Sequence, residues 1–246
     1  MALNDVTFVN GQGGLGRALT SRDHISGLIY FIANGSLPSG FSSTDRIKKI
    51  YSIQDAESLG IKSDYSDATG ATGTITVTNK GADGDTLKIT VTEPNGVVVN
   101  LGTYIKVSGD STVTLVAVAL KAMINAGTNT HGYSADNSAG VLTITAPKRM
   151  GTFLNSGTPI AVTIVGTIAQ TLVQFSGGVD SLQAVWHYHI AEYFRLQPKG
   201  VLYLNFCAVP SSYTFSELVT LQNFANGEIR QVGIYKPANA FSTANL

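Results

Sequence analysis

Polar and apolar residues alternate along the middle of the chain in a pattern that predicts β-strands. Threonine and apolar residues take turns in four short segments, at positions 74–78, 87–91, 141–145 and 160–164. A period of two directs one face of each strand to a core and the other to solvent. Turn-forming residues separate the segments, as at 81–85 and 94–96. We therefore predict a β-rich region across residues 66–180.

The residues before this region predict a strand followed by two short helices. The apolar run at 25–33 predicts a core strand. Apolar residues then recur at helical spacing over 47–51, and Ser43 or Thr44 can cap the helix that contains them. A second short helix is predicted over 54–59.

The residues after the β-rich region predict alternating helices and strands. Apolar residues at helical spacing predict an amphipathic helix over 181–197, and the continuous apolar run at 201–209 predicts a fully buried strand. A helix over 215–225 and a strand over 229–235 follow. The strand at 201–209, the helix at 215–225 and the strand at 229–235 are spaced like a parallel βαβ unit.

One more helix is predicted over 111–125, where it interrupts the β-rich region, and Ser111 is its expected N-cap.

Together these segments predict an α/β core domain that is interrupted by an inserted β-rich module with one helix, and so an α+β fold overall. Glycines near the N-terminus leave the first residues without a regular pattern, which predicts an extended arm. The predicted organisation is an arm at 1–20, a first part of the core at 21–65, the inserted module at 66–180 and a second part of the core at 181–246.

The composition favours association with other proteins over binding to nucleic acid or membrane. Charged residues make up 13% of the chain, and 16 basic residues balance 16 acidic ones. A neutral surface with few charges resists self-association weakly and offers no basic face for phosphates. No apolar stretch is long enough to span a bilayer, and no signal peptide is recognisable, so we expect a protein that is made and kept in a cytoplasm, or is released by lysis.

A glycine motif at 11–16 matches the G-x-G-x-x-G fingerprint of dinucleotide-binding proteins. That chemistry needs a helix directly after the glycines, whose N-terminus holds the pyrophosphate. Residues 17–24 show no helical period, and no acidic residue lies about 20 positions further on to bind a ribose. We therefore interpret the glycines as a flexible arm and expect no nucleotide cofactor.

No other cluster of residues has the spacing of a catalytic or metal site. His187, His189 and Glu192 share a predicted helix but lack the i, i+4 histidine pair of zinc proteases. The segment 83–85 carries two aspartates but fits a turn better than a calcium loop. Cys207 lies in an apolar run and is expected to be an inert, buried thiol. We predict no enzymatic activity, no cofactor and no metal.

Several segments resemble a family of phage and prophage contractile tail sheath proteins, many of them from Bacteroidetes. The opening, Met1 to Arg17 with 23–28, resembles the start of these proteins. Residues 50–61, 186–195 and 227–235 resemble, in order, a short helix with its Leu-Gly-Ile turn, the next long helix and a core strand. The β-rich region, which closes with 175–180, is more loosely similar to β modules of tail structural proteins.

This resemblance implies a subunit that stacks with copies of itself as rings around a tail tube, with baseplate proteins as further partners. It would be located in the virion tail after assembly in the host cytoplasm, and contraction would need no active site. Termini of such subunits add strands to neighbouring sheets, which makes 5–9 the predicted donated strand and the glycines its hinge. The arm residues are Asp5, Val6, Thr7, Phe8, Val9, Gly11, Gly13, Gly14 and Gly16.

The resemblance also implies that the inserted module faces away from the tube. Sheath proteins of this kind usually continue well beyond the equivalent of Leu246, so the expectation is a truncated form, a fragment or a short member of the family.

Two other functions are compatible with the sequence. A tail tube or baseplate protein would share the charge-poor, β-rich composition but would not need an α/β domain with an arm. A glycan-binding module would use exposed aromatic residues of the β-rich region, which offers Tyr104, Tyr133, Phe153 and Phe175. A hydrolase is the weakest choice, because no nucleophile, base and oxyanion site can be assembled.

Overall fold

The computed structural model describes residues 24–32, 36–210 and 216–235. The predicted arm, with all nine residues named for it, lies at 1–20 and so outside the described residues. The chain forms two compact units, one made of Met1–Gly60 with Ile190–Leu246 and the other of Ile61–His189. The region predicted as an inserted module, 66–180, falls within the second unit.

Helices and strands of both units make an α+β fold with mixed sheets. In chain order the described elements are β1 (Ile25–Ile32), β2 (Ile47–Ile50), α1 (Ile53–Ser58), β3 (Thr72–Asn79), β4 (Thr86–Thr92), β5 (Val98–Ile105), α2 (Val113–Ala126), α3 (Thr128–His131), β6 (Ser134–Ser138), β7 (Val141–Thr145), a 3-10 helix (Lys148–Leu154), β8 (Ile160–Val165), β9 (Ala169–Ser176), α4 (Leu182–Leu196), β10 (Val201–Ala208), α5 (Ser216–Phe224) and β11 (Gln231–Tyr235). None of the helices in this part of the chain is long and apolar enough to cross a bilayer.

The first unit contains a four-stranded sheet, called here the core sheet, in the order β11-β1-β10-β2. Strand β1 lies parallel to both β10 and β11, so β10, α5 and β11 form the predicted parallel βαβ unit with β1 between its strands. Helix α5 packs through Leu221 and Ala225 on the face that contains Ile25 and Ile29. Gly27 permits this close packing, because a Cβ there would lie 2.7 Å from Leu221 Cδ2.

The helix predicted over 47–51, with Ser43 or Thr44 as its cap, is wrong. Residues Ile47–Ile50 form β2, which pairs antiparallel with β10. Two isoleucines three positions apart fit one turn of helix, but the free edge of β10 offers backbone hydrogen bonds to an extended chain, and that pairing overrides a weak local preference. The second predicted helix is confirmed as α1, whose N-cap Ser52 accepts a hydrogen bond from the backbone N–H of Asp55 at 3.2 Å.

The second unit contains two antiparallel sheets, in the orders β6-β7-β3-β9 and β5-β4-β8. The side chain of Gln174 on β9 joins them, since its amide accepts from Ile160 N at 2.8 Å and donates to Ile160 O at 2.9 Å. The four strands predicted from alternation are confirmed within β3, β4, β7 and β8. Their buried side chains form one core, which includes Ile75, Val77, Leu87, Ile89, Val91, Leu142 and Ile144.

Helix α2 completes this core, with Val116, Leu120 and Ile124 fully buried. Its N-cap is Thr112, whose Oγ1 accepts from Leu115 N at 3.2 Å, so the predicted cap at Ser111 is wrong by one residue. Gly127 ends the helix as its C-cap.

Helix α4 begins with a cap supplied from a distant part of the sequence. The carboxylate of Asp67 accepts from Leu182 N at 2.9 Å, from Gln183 N at 3.1 Å and from Ser181 Oγ at 2.5 Å. These bonds satisfy backbone N–H groups that the first turn of a helix leaves without partners. The helix therefore starts where 64–67 and 181–183 meet, at the place where the predicted second part of the core begins.

Candidate assembly surface

The two outer strands of the core sheet, β11 and β2, are the candidate sites for joining another chain. Each has one neighbouring strand among the described elements, β1 for β11 and β10 for β2. An edge strand carries a row of backbone N–H and C=O groups that can pair with an added strand. Which of the two edges is open to pairing then depends on their side chains.

Edge strand β2 is protected by charge. Its four residues include Lys48, which forms an ion pair with Asp45, and Lys49, whose Nζ lies 5.3 Å from the ring centre of Tyr51 and 5.4 Å from that of Tyr203. Lysine on an edge strand is a common device against pairing with other chains, because an added strand would bury the ammonium group. We infer that β2 is the closed edge of the core sheet.

Edge strand β11 has no such protection. Its sequence, Gln-Val-Gly-Ile-Tyr, carries no charged residue, and Val232 is 38% exposed. The strand is held firmly on its inner side, where residues 231–235 pair with Ser26–Tyr30. Gly233 lets the sheet pack closely there, since a Cβ at this position would lie 2.7 Å from Leu28 Cδ2. Among the described residues, the outer side of β11 pairs with no strand, and its own five residues carry no charge.

The first unit also contains a cavity of about 480 Å³ at the carboxyl end of β10. Its walls come from the loop before β2, from β10 and from the outer face of α5, and its polar lining includes Arg46, Asn205, Cys207 and Glu217. In open α/β sheets, ligand sites lie preferentially beyond the carboxyl ends of parallel strands. No sequence pattern predicted this cavity, and the one signal that could have found it is the single asparagine within the apolar run at 201–209.

The histidines singled out in the sequence, His187 and His189, lie on α4 together with Glu192. Burial lowers the pKa of His189, while Glu192 accepts a hydrogen bond from Arg195 Nε at 2.8 Å, which lowers the pKa of its carboxyl. No group of three or more His, Cys, Asp or Glu side chains within residues 24–32, 36–210 and 216–235 is arranged to hold a metal ion.

The two aspartates at 83–85 stabilise turns. The ammonium group of Lys106, which is only 5% exposed, lies 2.5 Å from Asp83 Oδ1. Asp85 accepts from Ala82 N at 2.9 Å and from Thr167 N at 2.7 Å, and these backbone bonds lower the pKa of its carboxyl. The segment ties the β3–β4 turn to the β8–β9 turn, as a structural role requires.

Cys207 is buried. Burial, and to a smaller extent the nearby carboxylate of Glu217, raise the pKa of its thiol to about 12. Only the thiolate reacts with disulfide reagents, so at pH 8 the raised pKa lowers the reactive fraction about a thousandfold relative to a thiol with a pKa of 9.0.

We therefore expect Cys207 to react with Ellman's reagent at pH 8 at least about thirtyfold more slowly in the folded protein than in guanidinium chloride, because the loss of thiolate outweighs the higher nucleophilicity of a more basic thiolate. Absorbance of the released thionitrobenzoate measures both rates, and the signal belongs to one residue because the chain has a single cysteine. A folded-state rate within tenfold of the unfolded rate would show that the thiol is accessible.

No family model matches this chain, and no curated protein matches it.

Proposed function

We propose that the protein is a structural subunit of a phage-type contractile tail sheath, which assembles with copies of itself around a tail tube by strand addition to the core sheet. The observation that carries the proposal is the uncharged outer edge of β11, beside a second edge that lysines protect. Strand addition joins subunits through main-chain hydrogen bonds, which can persist while the subunits rotate as rigid bodies.

The donated strand is residues 5–9 of a neighbouring copy, whose five residues match the five of β11 in length. Glycines at 11, 13, 14 and 16 serve as the hinge of the arm, because glycine restricts the backbone least. A chain with 13% charged residues and no net charge adds little electrostatic repulsion to the stacking of many copies. Tail tube and baseplate proteins would be its other partners, in the virion tail.

The aromatic residues weigh against the glycan-binding alternative. Tyr104, Tyr133 and Phe175 are 6%, 0% and 3% exposed, so they contribute to the core of the second unit and leave no platform for a sugar ring. Phe153, at 67% exposed, is the one aromatic of the four on the surface. A tail tube or baseplate protein remains the second candidate, since the open edge of β11 would serve its assembly equally well.

Electron microscopy of the purified protein tests the proposal. We expect rings or striated tubes from the intact chain, and monomers from a version that lacks residues 1–20, because removal of the donated strand leaves β11 unpaired. Replacing Thr7 by proline keeps the length of the arm but removes a backbone donor, and we expect the same loss of assembly. An intact chain that remains monomeric at high concentration and in the presence of tail tubes would contradict the proposal.

A further inference from the structure

His131 holds the backbone at the corner where α3 leads into β6. Its Nδ1 atom accepts a hydrogen bond from the backbone N–H of Tyr133 at 3.1 Å. Tyr133 is 0% exposed and belongs to the core of the second unit, so this N–H is shut off from water. Buried backbone donors need an acceptor, and the imidazole supplies one in the manner of an Asx turn, in which a side-chain oxygen accepts from the N–H two residues further on.

Only the neutral imidazole can accept this hydrogen bond. A neutral ring carries its hydrogen on one nitrogen and a lone pair on the other, and here the lone pair lies on Nδ1, which places the hydrogen on Nε2. Nε2 is buried beside Gly127, where an added Cβ would lie 2.6 Å from it. Protonation would put a second N–H donor opposite the N–H of Tyr133, so the hydrogen bond would be lost.

The charged groups nearest to this corner are paired with each other. Arg149 lies next to Gly132, where an added Cβ would come within 3.5 Å of its Nη1. Glu93 reaches the corner through Tyr133, whose hydroxyl lies 3.5 Å from Glu93 Oε1, and the same carboxylate oxygen is 3.9 Å from Arg149 Nη2. A positive charge on the imidazole would therefore meet one charge of each sign, with no net attraction.

The elements that pack against α3 are α2 and β5. The α2 side contributes Ile124 and Gly127, which are uncharged, and the titratable residue of β5 is Tyr104, whose hydroxyl donates to Asp110 at 2.6 Å. Burial lowers the pKa of His131, and an interaction with the backbone of Ile124 opposes that effect only in part. A histidine whose pKa is lowered by folding adds stability that is complete above the unfolded pKa of about 6.5 and is lost as the pH falls through the folded pKa.

We propose that His131 is an acid-sensitive switch in the second unit, whose protonation releases the N–H of Tyr133 and opens the corner between α2 and β6. The opening is local, because Asn125 still ties α2 to β6 through Nδ2 to the backbone oxygen of Ala135 at 2.8 Å and through Oδ1 to its N–H at 2.7 Å. Neither of these groups titrates, so the segment 128–133 loosens while the unit stays folded. The inference is independent of the proposed self-assembly, whose strand β11 belongs to the first unit.

Amide hydrogen exchange of the full chain, followed by NMR at pH 8 and pH 5, tests this proposal. The protection of the Tyr133 amide, relative to the amides of β4, is expected to fall about fivefold in the wild type, as the loss of one hydrogen bond predicts. His131→Asn should keep the same protection at both pH values, because its side-chain oxygen can accept from Tyr133 N and does not titrate. His131→Ala lacks the acceptor and should show the low protection at both.

His189→Asn is the matched control, since burial also lowers the pKa of His189 on α4, and it should leave the fall at Tyr133 unchanged. The Cε1–H signal of His131 in the wild type gives a second measurement that needs no variant to fold, and its pKa should be lower in the native chain than in urea. Constant protection of Tyr133 in the wild type, a fall that His131→Asn retains, or a ring pKa that is not lowered in the native chain overturns the proposal.

Discussion

Replacing Val232 by lysine is expected to abolish self-assembly and to leave the monomer folded. Val232 lies on the open edge of the core sheet and is 38% exposed, so a long side chain can reach solvent while β11 is unpaired. An added strand would bury the ammonium group, as the lysines of β2 would be buried on the opposite edge. A loss of only about 1.4 kcal/mol at each joint lowers the association constant tenfold, and rings require many joints.

Sedimentation velocity and electron microscopy measure the assembly, and urea unfolding measures the stability of the variant. The unfolding free energy is expected to fall by about 1 kcal/mol or less, because substitutions at partly exposed positions have small effects. Val118→Lys places the same charge on α2 of the second unit, where the valine is 45% exposed, and is expected to assemble normally. Rings from Val232→Lys as abundant as those of the wild type would exclude β11 as the joint.

Strands with one face in a core were the part of the fold that the sequence predicted best. In β7, Leu142 and Ile144 are fully buried, while the residues at 141, 143 and 145 are partly exposed. This burial pattern repeats the alternation of the sequence. The physical reason is that a period of two separates the faces of a strand whatever its partner is. Pairing order and register, by contrast, depend on residues far away in the chain.

Strands β5 and β6 were not predicted, because polar and apolar residues do not alternate cleanly along them. β6 is polar in four of its five residues, and its place in the sheet depends on β7, with which it pairs from Ser134 to Ser138. β5 contains Gly102 at a positive φ of 137°, beside a register shift between Ile89 and Thr90. A bulge of this kind interrupts the alternation of side chains between the two faces of a strand.

The candidate assembly surface could be predicted only in part. The sequence at 229–235 predicted a strand, but nothing in it shows that this strand is the edge of the core sheet. That position follows from β1, which inserts between β10 and β11 from about 170 residues away in the chain. The cavity escaped prediction for a similar reason, since Asn205 and Glu217 meet only when α5 packs on β10.

Truncating Leu120 to alanine is expected to cause a large loss of stability in the second unit. Leu120 is fully buried on α2, in the same core as residues of both sheets. Removing three carbons from such a position leaves a cavity and typically costs about 2–5 kcal/mol. Domains are stable by about 5–15 kcal/mol, so the unit would lose a large part of its stability.

Val118→Ala is the matched control, because it lies two residues away on the same helix at 45% exposure and is expected to change stability by less than about 0.5 kcal/mol. Urea unfolding followed by circular dichroism measures both variants, and equal losses would show that α2 does not cover the core. Because β11 belongs to the first unit, Leu120→Ala is expected to retain self-assembly wherever the chain remains folded. Assembly lost in parallel with the stability of the second unit would place a joint in that unit and count against strand addition at β11 as the main contact.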